Sequence, residues 1–253
     1  MKPYLLRVGA DSTPAGGKFY SHIFENGSYI FIPIPEKKEK LILGKARRYR
    51  DFEWRNNSIV PYLPTNLYPR KMWTDDPPHQ FIHNDPEFQT FTYGSPMYNQ
   101  DNSNGRKEKN YNTLLKMEKG DILAFYAAFS RDGANIHGYY FFAYFIIHCV
   151  IPYASTDSLS QEKQALVRNN HHFIHKRQNQ VVVVGCPNNS RVFNEAVLLS
   201  LRPTDVRKGN NYYPCRSIQD CLGKYDVAMN RSTVRKPPWI GAAFKEHLDL
   251  HSA

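Results

Sequence analysis

Hydrophobic positions concentrate in two runs near the middle of the chain, Ile122 to Phe129 and Tyr139 to Val150. Gly120-Asp121 leads into the first run, and a polar segment with Gly133 and Gly138 joins it to the second. Apolar runs of this length, bounded by turn residues, predict a β-hairpin. Its aromatic density predicts the centre of a β-rich core. The connecting loop carries Arg131, Asp132, Asn135 and His137, which places polar and charged groups at one end of the hairpin.

Other stretches fill in around it. Residues 4–8 read as a strand that ends in a small-residue loop, Gly9 to Gly17. Tyr29 to Pro35 reads as a second strand, pushed toward a sheet edge because Pro33 and Pro35 cannot donate to a ladder. A short helix is predicted over about 107–117, with Tyr111, Leu114 and Leu115 on one face. Ser158-Leu-Ser-Gln161 has the form of a capping box that opens a helix to about Val167. Gln180 to Val184 is a buried strand, and 191–201 fits helix or strand equally. Trp239 to Leu250 has helical spacing, with Trp239, Ala243, Phe244, His247 and Leu248 toward the core. Residues 61–78 are proline-rich and irregular, 98–106 form a polar loop, and 202–238 are basic and turn-rich. The expected fold is α+β, a mixed or antiparallel β-rich core with a few peripheral helices, and a barrel-like closure is one form it can take. No linker or repeat divides the chain. A single domain over 1–253 is expected, with 202–253 packed on it.

Composition narrows the function classes. With 41% hydrophobic residues in 253, the chain can bury a core without staples. A net charge of +10 favours a polyanionic partner, nucleic acid or a phosphorylated substrate. The densest basic run, Lys37 to Arg50, is either a solvated face or a phosphate-contacting one. The 17 Tyr and 15 Phe suit base stacking as well as core filling. Cys149 and Cys186 sit among apolar strand residues, and Cys215 and Cys221 match no common zinc spacing. The chain reads as cytoplasmic, and its longest apolar run is too short for a bilayer. Neither a Walker A loop nor a dinucleotide fingerprint is present, and the sequence leaves the cofactor and metal unassigned.

Four places carry candidate chemistry. In the first loop, Arg7, Asp11 and Ser12 with Gly9, Gly16 and Gly17 resemble a phosphate-binding turn, although the Walker spacing is missing. Asp11 serves there as acid, base or ligand, or simply as an Asx-turn residue. His83-Asn84-Asp85-Pro86-Glu87, followed by Tyr93 and Gly94, offers a histidine and two carboxylates for a metal or for proton transfer, or an Asp-Pro turn. In the hairpin, Asp121 is most simply a turn acceptor, His148 a core side chain, and Arg131, Tyr126 and His137 ligand-facing candidates. In Asn170 to Arg177, His171, His172 and His175 have a spacing that lets two imidazoles share a face, with Asp85 or His83 as a ligand supplied in space. The alternative is a polar connector. No serine nucleophile elbow appears, which argues against classical hydrolase chemistry.

Taken in order, several segments resemble one family, the third of the nucleotide-modification-associated domains of prokaryotes and mobile elements. They are Arg7-Val-Gly-Ala-Asp11-Ser12 with Gly16-Gly17, Ile23 to Pro35, Asp85-Pro86, Gly120-Asp121 with its aromatic strand, and the histidines near His171. They span most of 1–175, with a less clear match beyond. The resemblance implies a role in DNA base modification and makes Arg7, Asp11, Ser12, Asp85, Asp121 and the histidines the residues to test.

Three functions compete. The first is an enzyme of nucleobase or nucleotide modification, with Asp11, Asp85, His171 and His175 moving protons and the nucleotide or phosphate held by Arg7, Ser12, Gly16, Gly17, Arg131, His137, Tyr93 and Tyr126. The second is a non-catalytic reader of modified bases, like the small β barrels of the pseudouridine-synthase-and-archaeosine-transglycosylase group, with an aromatic cage for an extruded base. The third is a metal-dependent nuclease using Asp85 and Glu87, or Asp75 and Asp76. The partner in each case is nucleotide or DNA, with other proteins of a modification system compatible and a membrane not expected.

Overall fold

The computed structural model describes residues 1–9, 20–36, 38–63, 77–98, 109–132, 135–201, 212–229 and 233–251. Its strands are β1 (Pro3–Arg7), β2 (Ser21–Ile23), β3 (Tyr29–Ile30), β4 (Ile34–Pro35), β5 (Glu53–Trp54), β6 (Asn57–Ser58), β7 (Ile82–His83), β8 (Thr92–Pro96), β9 (Ile122–Ser130), β10 (Gly138–Tyr153), β11 (Gln180–Gly185) and β12 (Arg191–Leu201). Its helices are α1 (Lys109–Leu114), α2 (Gln161–Val167), α3 (His171–Ile174), α4 (Arg216–Leu222) and α5 (Gly241–His251). The fold is α+β around a mixed sheet of eight strands. No closed barrel forms among the described residues.

The β9–β10 hairpin is the spine of the sheet. β9 runs parallel to β1 along Ile122–Tyr126 and to β2 at Phe129–Ser130, and antiparallel to β10. The first half of β10 also pairs with β12, while Ile147–Tyr153 pairs with β11, which in turn pairs with β8. Every residue of β9 is buried, because both faces of the sheet are covered. That is why the sequence shows a continuous apolar run in place of alternation. Leu123, Phe125, Ala127 and Phe129 enter one core, and Ile122, Ala124, Tyr126 and Ala128 the other. β10 starts with Tyr140 and Phe142 in the first core, then shifts register between Phe141 and Ala143. Beyond the shift, Phe145 and Ile147 take the first core. A bulge inserts one residue and flips the side-chain phase, which lets one long strand serve two geometries.

The second core packs α4 and α5, through Ile218, Phe244 and Leu248, and Trp239 just before α5, against β12. The first core lies under the loop-rich segments from Phe31 to Leu63 and Phe81 to Met97, and under α1. Phe142 is its hub, stacked on Phe31 at 4.7 Å and edge-on to Phe88 at 5.7 Å. Edge-to-face and offset rings of this kind add about 0.5–1.5 kcal/mol per pair beyond burial.

Several expectations are corrected. Tyr29 to Pro35 is not one strand. β3 forms the edge of the main sheet, and the chain then leaves it so that β4 pairs with β7. Ser158 closes a 3-10 turn, and the residue that caps α2 is Ser160, whose hydroxyl accepts from the Lys163 N–H. The ambiguous 191–201 is strand. α4 lies within the stretch expected to be turns. His148 is exposed because the β10 register shifts between Ile147 and Cys149. No described helix is long and apolar enough to cross a membrane.

Candidate functional site

The departure of β4 from the main sheet builds the site. Ile34 pairs with His83 and Pro35 with Ile82, and the Glu36 N–H donates to the Phe81 carbonyl at 2.8 Å. Glu36 is thereby fixed beside His83 with its side chain only 6% exposed. Its Oε2 lies 2.8 Å from His83 Nδ1, 2.9 Å from the Arg177 guanidinium and 3.5 Å from His171 Nε2. Burial alone would raise the Glu36 carboxyl. The contacts with His171 and His83 and the Arg177 charge outweigh it and hold the group well below the usual carboxylate range.

α3 supplies the histidines. Asn170 caps it, accepting from the His172 N–H at 3.0 Å, and its amide donates to Asp85 Oδ1 at 3.2 Å and Thr92 Oγ1 at 3.3 Å. One fully buried side chain therefore ties α3 to both the Asp85 turn and β8. The Asp85 oxygens also accept the Gly94 N–H at 3.0 and 2.9 Å, and Oδ2 lies 3.3 Å from His172 Nε2. His171 and His83 rings are 4.2 Å apart, His171 and His175 4.5 Å, and His83 and His172 5.1 Å. His175 Nδ1 accepts the Ile42 N–H, so its neutral ring carries the proton on the other nitrogen.

Burial pushes the three α3-region imidazoles down. Neighbouring His83 adds to this for His171, where Glu36 opposes it, and Asp85 opposes it for His172. For His175, burial and the Arg177 charge bring the value to about 4. These rings are held neutral in the folded state, whereas in the unfolded chain they take a proton below about pH 6.5. The folded state therefore loses stability as pH falls, starting at about 6.5 and continuing through the His175 value of about 4. Metal-free protein is expected to show a level thermal midpoint above pH 7 and a falling one below 6.5 in a fluorimetric scan. A midpoint level down to pH 5 would contradict neutral burial of these rings.

The cluster opens on a cavity of about 720 Å³. His171 lies in its wall with Asn84, Asn169, Trp54, Phe88, Arg47 and Arg55. Arg55 and Asn56, both at positive φ (53° and 64°), make the two-residue turn between β5 and β6. The Arg55 guanidinium is anchored on the Phe193 and Asn194 carbonyls at 3.1 and 3.0 Å. Arg47 is exposed, and the buried Trp54 Nε1 has no partner among the described residues.

The other sequence candidates lie elsewhere. Arg7 is buried on the far face of the sheet, 3.2 Å from the Tyr139 hydroxyl, and Tyr126 beside it donates to the Met229 carbonyl at 3.1 Å. Tyr93 packs on Phe125 in the first core. Arg131 is exposed at the end of the hairpin, where His137 Nδ1 meets the Tyr140 hydroxyl at 2.6 Å. None of these lines the cavity. Glu87 is the exception: it lines the cavity, with its carboxylate capping its own turn by accepting the Gln89 and Thr90 N–H groups at 2.6 and 2.9 Å. Asp121 accepts the Lys2 and Glu118 N–H groups, the turn role expected of it. Asp11, Ser12, Gly16, Gly17, Asp75 and Asp76 lie outside the described residues. Glu36 and Arg177 were not singled out from sequence. The only hint at Glu36 is a carboxylate directly after Ile-Pro-Ile-Pro, where a solvent-exposed lysine would be as much at home.

Fold and site together define an α+β protein with a buried histidine–carboxylate centre beside the edge of its mixed sheet. The chain belongs to the family described as nucleotide modification associated domain 3, whose model matches residues 2–249. The match includes the C-terminal third, where the sequence motifs were less clear. Compared with curated proteins and with solved structures, the chain gives no significant match.

Proposed function

We propose that the protein binds a nucleobase or nucleotide in the cavity beside His171 and takes part in its modification. The observation that carries this reading is the composition of one wall. The buried Trp54 and half-buried Phe88 border the cavity with aromatic rings, Arg47 and Arg55 with cations, Asn84 and Asn169 with amides, and Asp51, Glu53 and Glu87 with carboxylates that leave the arginines to select the phosphate end. A cavity of about 720 Å³ is the size of a small-molecule site. Aromatic faces suit a base, amides suit its polar edge, and an exposed arginine suits a phosphate. His171 links the cavity lining to the buried carboxylates, which supports chemistry next to a bound base. Membership in a nucleotide-modification family agrees with that ligand class.

Purified protein titrated with free nucleotides, unmodified DNA and modified DNA at two salt concentrations tests the reading. Free nucleotide is expected to bind and to quench Trp54 fluorescence. Arg47→Glu is expected to weaken nucleoside triphosphate binding at least tenfold, with a smaller effect on the nucleoside. Binding of polymer alone, with preference for modified bases, would replace the enzyme by a reader. No binding of any of them at low salt would remove the reading altogether.

A further inference from the structure

We infer that Glu36, His83 and His171 hold one divalent transition-metal ion at the inner end of the cavity. The inference rests on the same cavity as the proposed function and adds the ion that would work there. One donor atom from each of the three side chains lies within 4.8 Å of the others. The Glu36 Oε2 to His83 Nδ1 and His171 Nε2 separations are 2.8 and 3.5 Å. Metal–ligand bonds of about 2.0–2.2 Å bring neighbouring donors to about 3 Å of one another, so little movement is needed. Two imidazoles and one carboxylate, with further coordination positions left open, are a donor set for zinc, iron or manganese.

A plain ion-pair network accounts for the cluster less well. Arg177 and Glu36 would satisfy one another without any histidine. Instead His83 and His171 also meet this carboxylate, the His172 and His175 rings pack directly against them, and Arg177 adds positive charge beside them. Protonated rings would repel one another here, whereas neutral rings present lone pairs. His171, 4% exposed, points Nε2 at Glu36 Oε2 across 3.5 Å, too far for a good hydrogen bond. Pairing that weak leaves much of the desolvation cost of a buried nitrogen unmet, and a coordinated ion removes it. Since His171 also lines the cavity, the open positions of the ion would face the bound ligand.

A second group, His83, Asp85 and His172, also lies within metal-ligand reach. Its carboxylate is already engaged by the Gly94 N–H and the Asn170 amide. Asp85 and His172 are therefore assigned to positioning α3, as outer carboxylate–histidine pairs do around metal centres. His175 is excluded through Nδ1, which accepts the Ile42 N–H.

The test uses the full chain, stripped with a chelator and then dialysed against Zn(II), Mn(II) or Co(II) singly, with bound metal measured by plasma mass spectrometry. About one equivalent of at least one ion is expected, and the Co(II) form is expected to show visible absorption of nitrogen- and oxygen-ligated cobalt. Glu36→Gln and His83→Gln should each weaken binding at least 100-fold, while the exposed His148→Gln should leave it unchanged. The inference is overturned by wild-type protein that retains no ion above a protein-free control. It is also overturned by a folded Glu36→Gln or His83→Gln variant that binds as tightly as wild type, Glu36 being the ligand that the second group lacks. If both variants fail to fold, the wild-type cobalt spectrum decides, and free aquo-cobalt absorption overturns the site. Nucleotide titration of the same stripped sample keeps the two readings apart. Nucleotide bound without any ion sinks the metal alone, and an ion bound without any nucleotide leaves the metal site standing and sinks the proposed function.

Discussion

Glu36→Ala is expected to destabilise the metal-free protein by about 3–5 kcal/mol, the usual cost of leaving a buried ion pair with one partner. The Arg177 guanidinium, with its side chain 11% exposed, would lose the acceptor at 2.9 Å, and His83 would lose its contact at 2.8 Å. The carboxylate also fixes how the segment after β4 meets β7, so its loss loosens a ladder of only two pairs. Arg177→Met made in the Glu36→Ala background should recover part of the loss, because the stranded charge is then gone. Urea unfolding of the two single variants and the double variant measures the coupling. A Glu36→Ala cost below about 1 kcal/mol, or strictly additive variants, would mean that the pair is screened by water and does not organise the cluster.

How much of this was readable beforehand differs by element. The β9–β10 hairpin was readable because both of its faces are buried, which writes an apolar run into the sequence. The bulge that flips the phase of β10 was not, since Phe142 and Ala143 are both apolar and either phase looks the same. β12 stayed ambiguous because its exposed positions do not alternate strictly. In the site, His83, Asp85, His171, His172 and His175 stand out as chemical types in two separate segments of the sequence. What joins them is the β4–β7 pairing and the Asn170 bridge, which are tertiary facts with no local signature. Glu36 likewise has no local signature that marks it as part of the site. Arg7 and Tyr126 attracted attention by residue type, but strand alternation sends their side chains to the opposite core. A sequence pattern can nominate groups able to do chemistry, and only register decides which of them meet.

Gly94→Ala tests whether α3 must sit where it does for the cavity to work. A Cβ at this position would lie 2.6 Å from His172 Cδ2 and 3.0 Å from Asn170 Oδ1. Neither neighbour is free to swing away, since Asn170 is fully buried and bonded to Asp85 and Thr92, and His172 is held at Asp85. The methyl group must therefore push α3 off β8 or tear the Asn170 bridge. Overpacking of this kind costs about 1–3 kcal/mol. The effect on ligand binding should be larger than the effect on stability, because His171 is the residue next to the one displaced and forms part of the cavity wall. Nucleotide affinity is expected to fall at least tenfold in protein that is still folded by circular dichroism. Gly44→Ala is the matched control, since a Cβ there meets nothing within 4 Å, and it should leave both stability and affinity unchanged. If Gly94→Ala binds nucleotide as wild type does while losing stability, the close approach of α3 to β8 serves packing alone. The ligand would then have to sit away from the His171 wall.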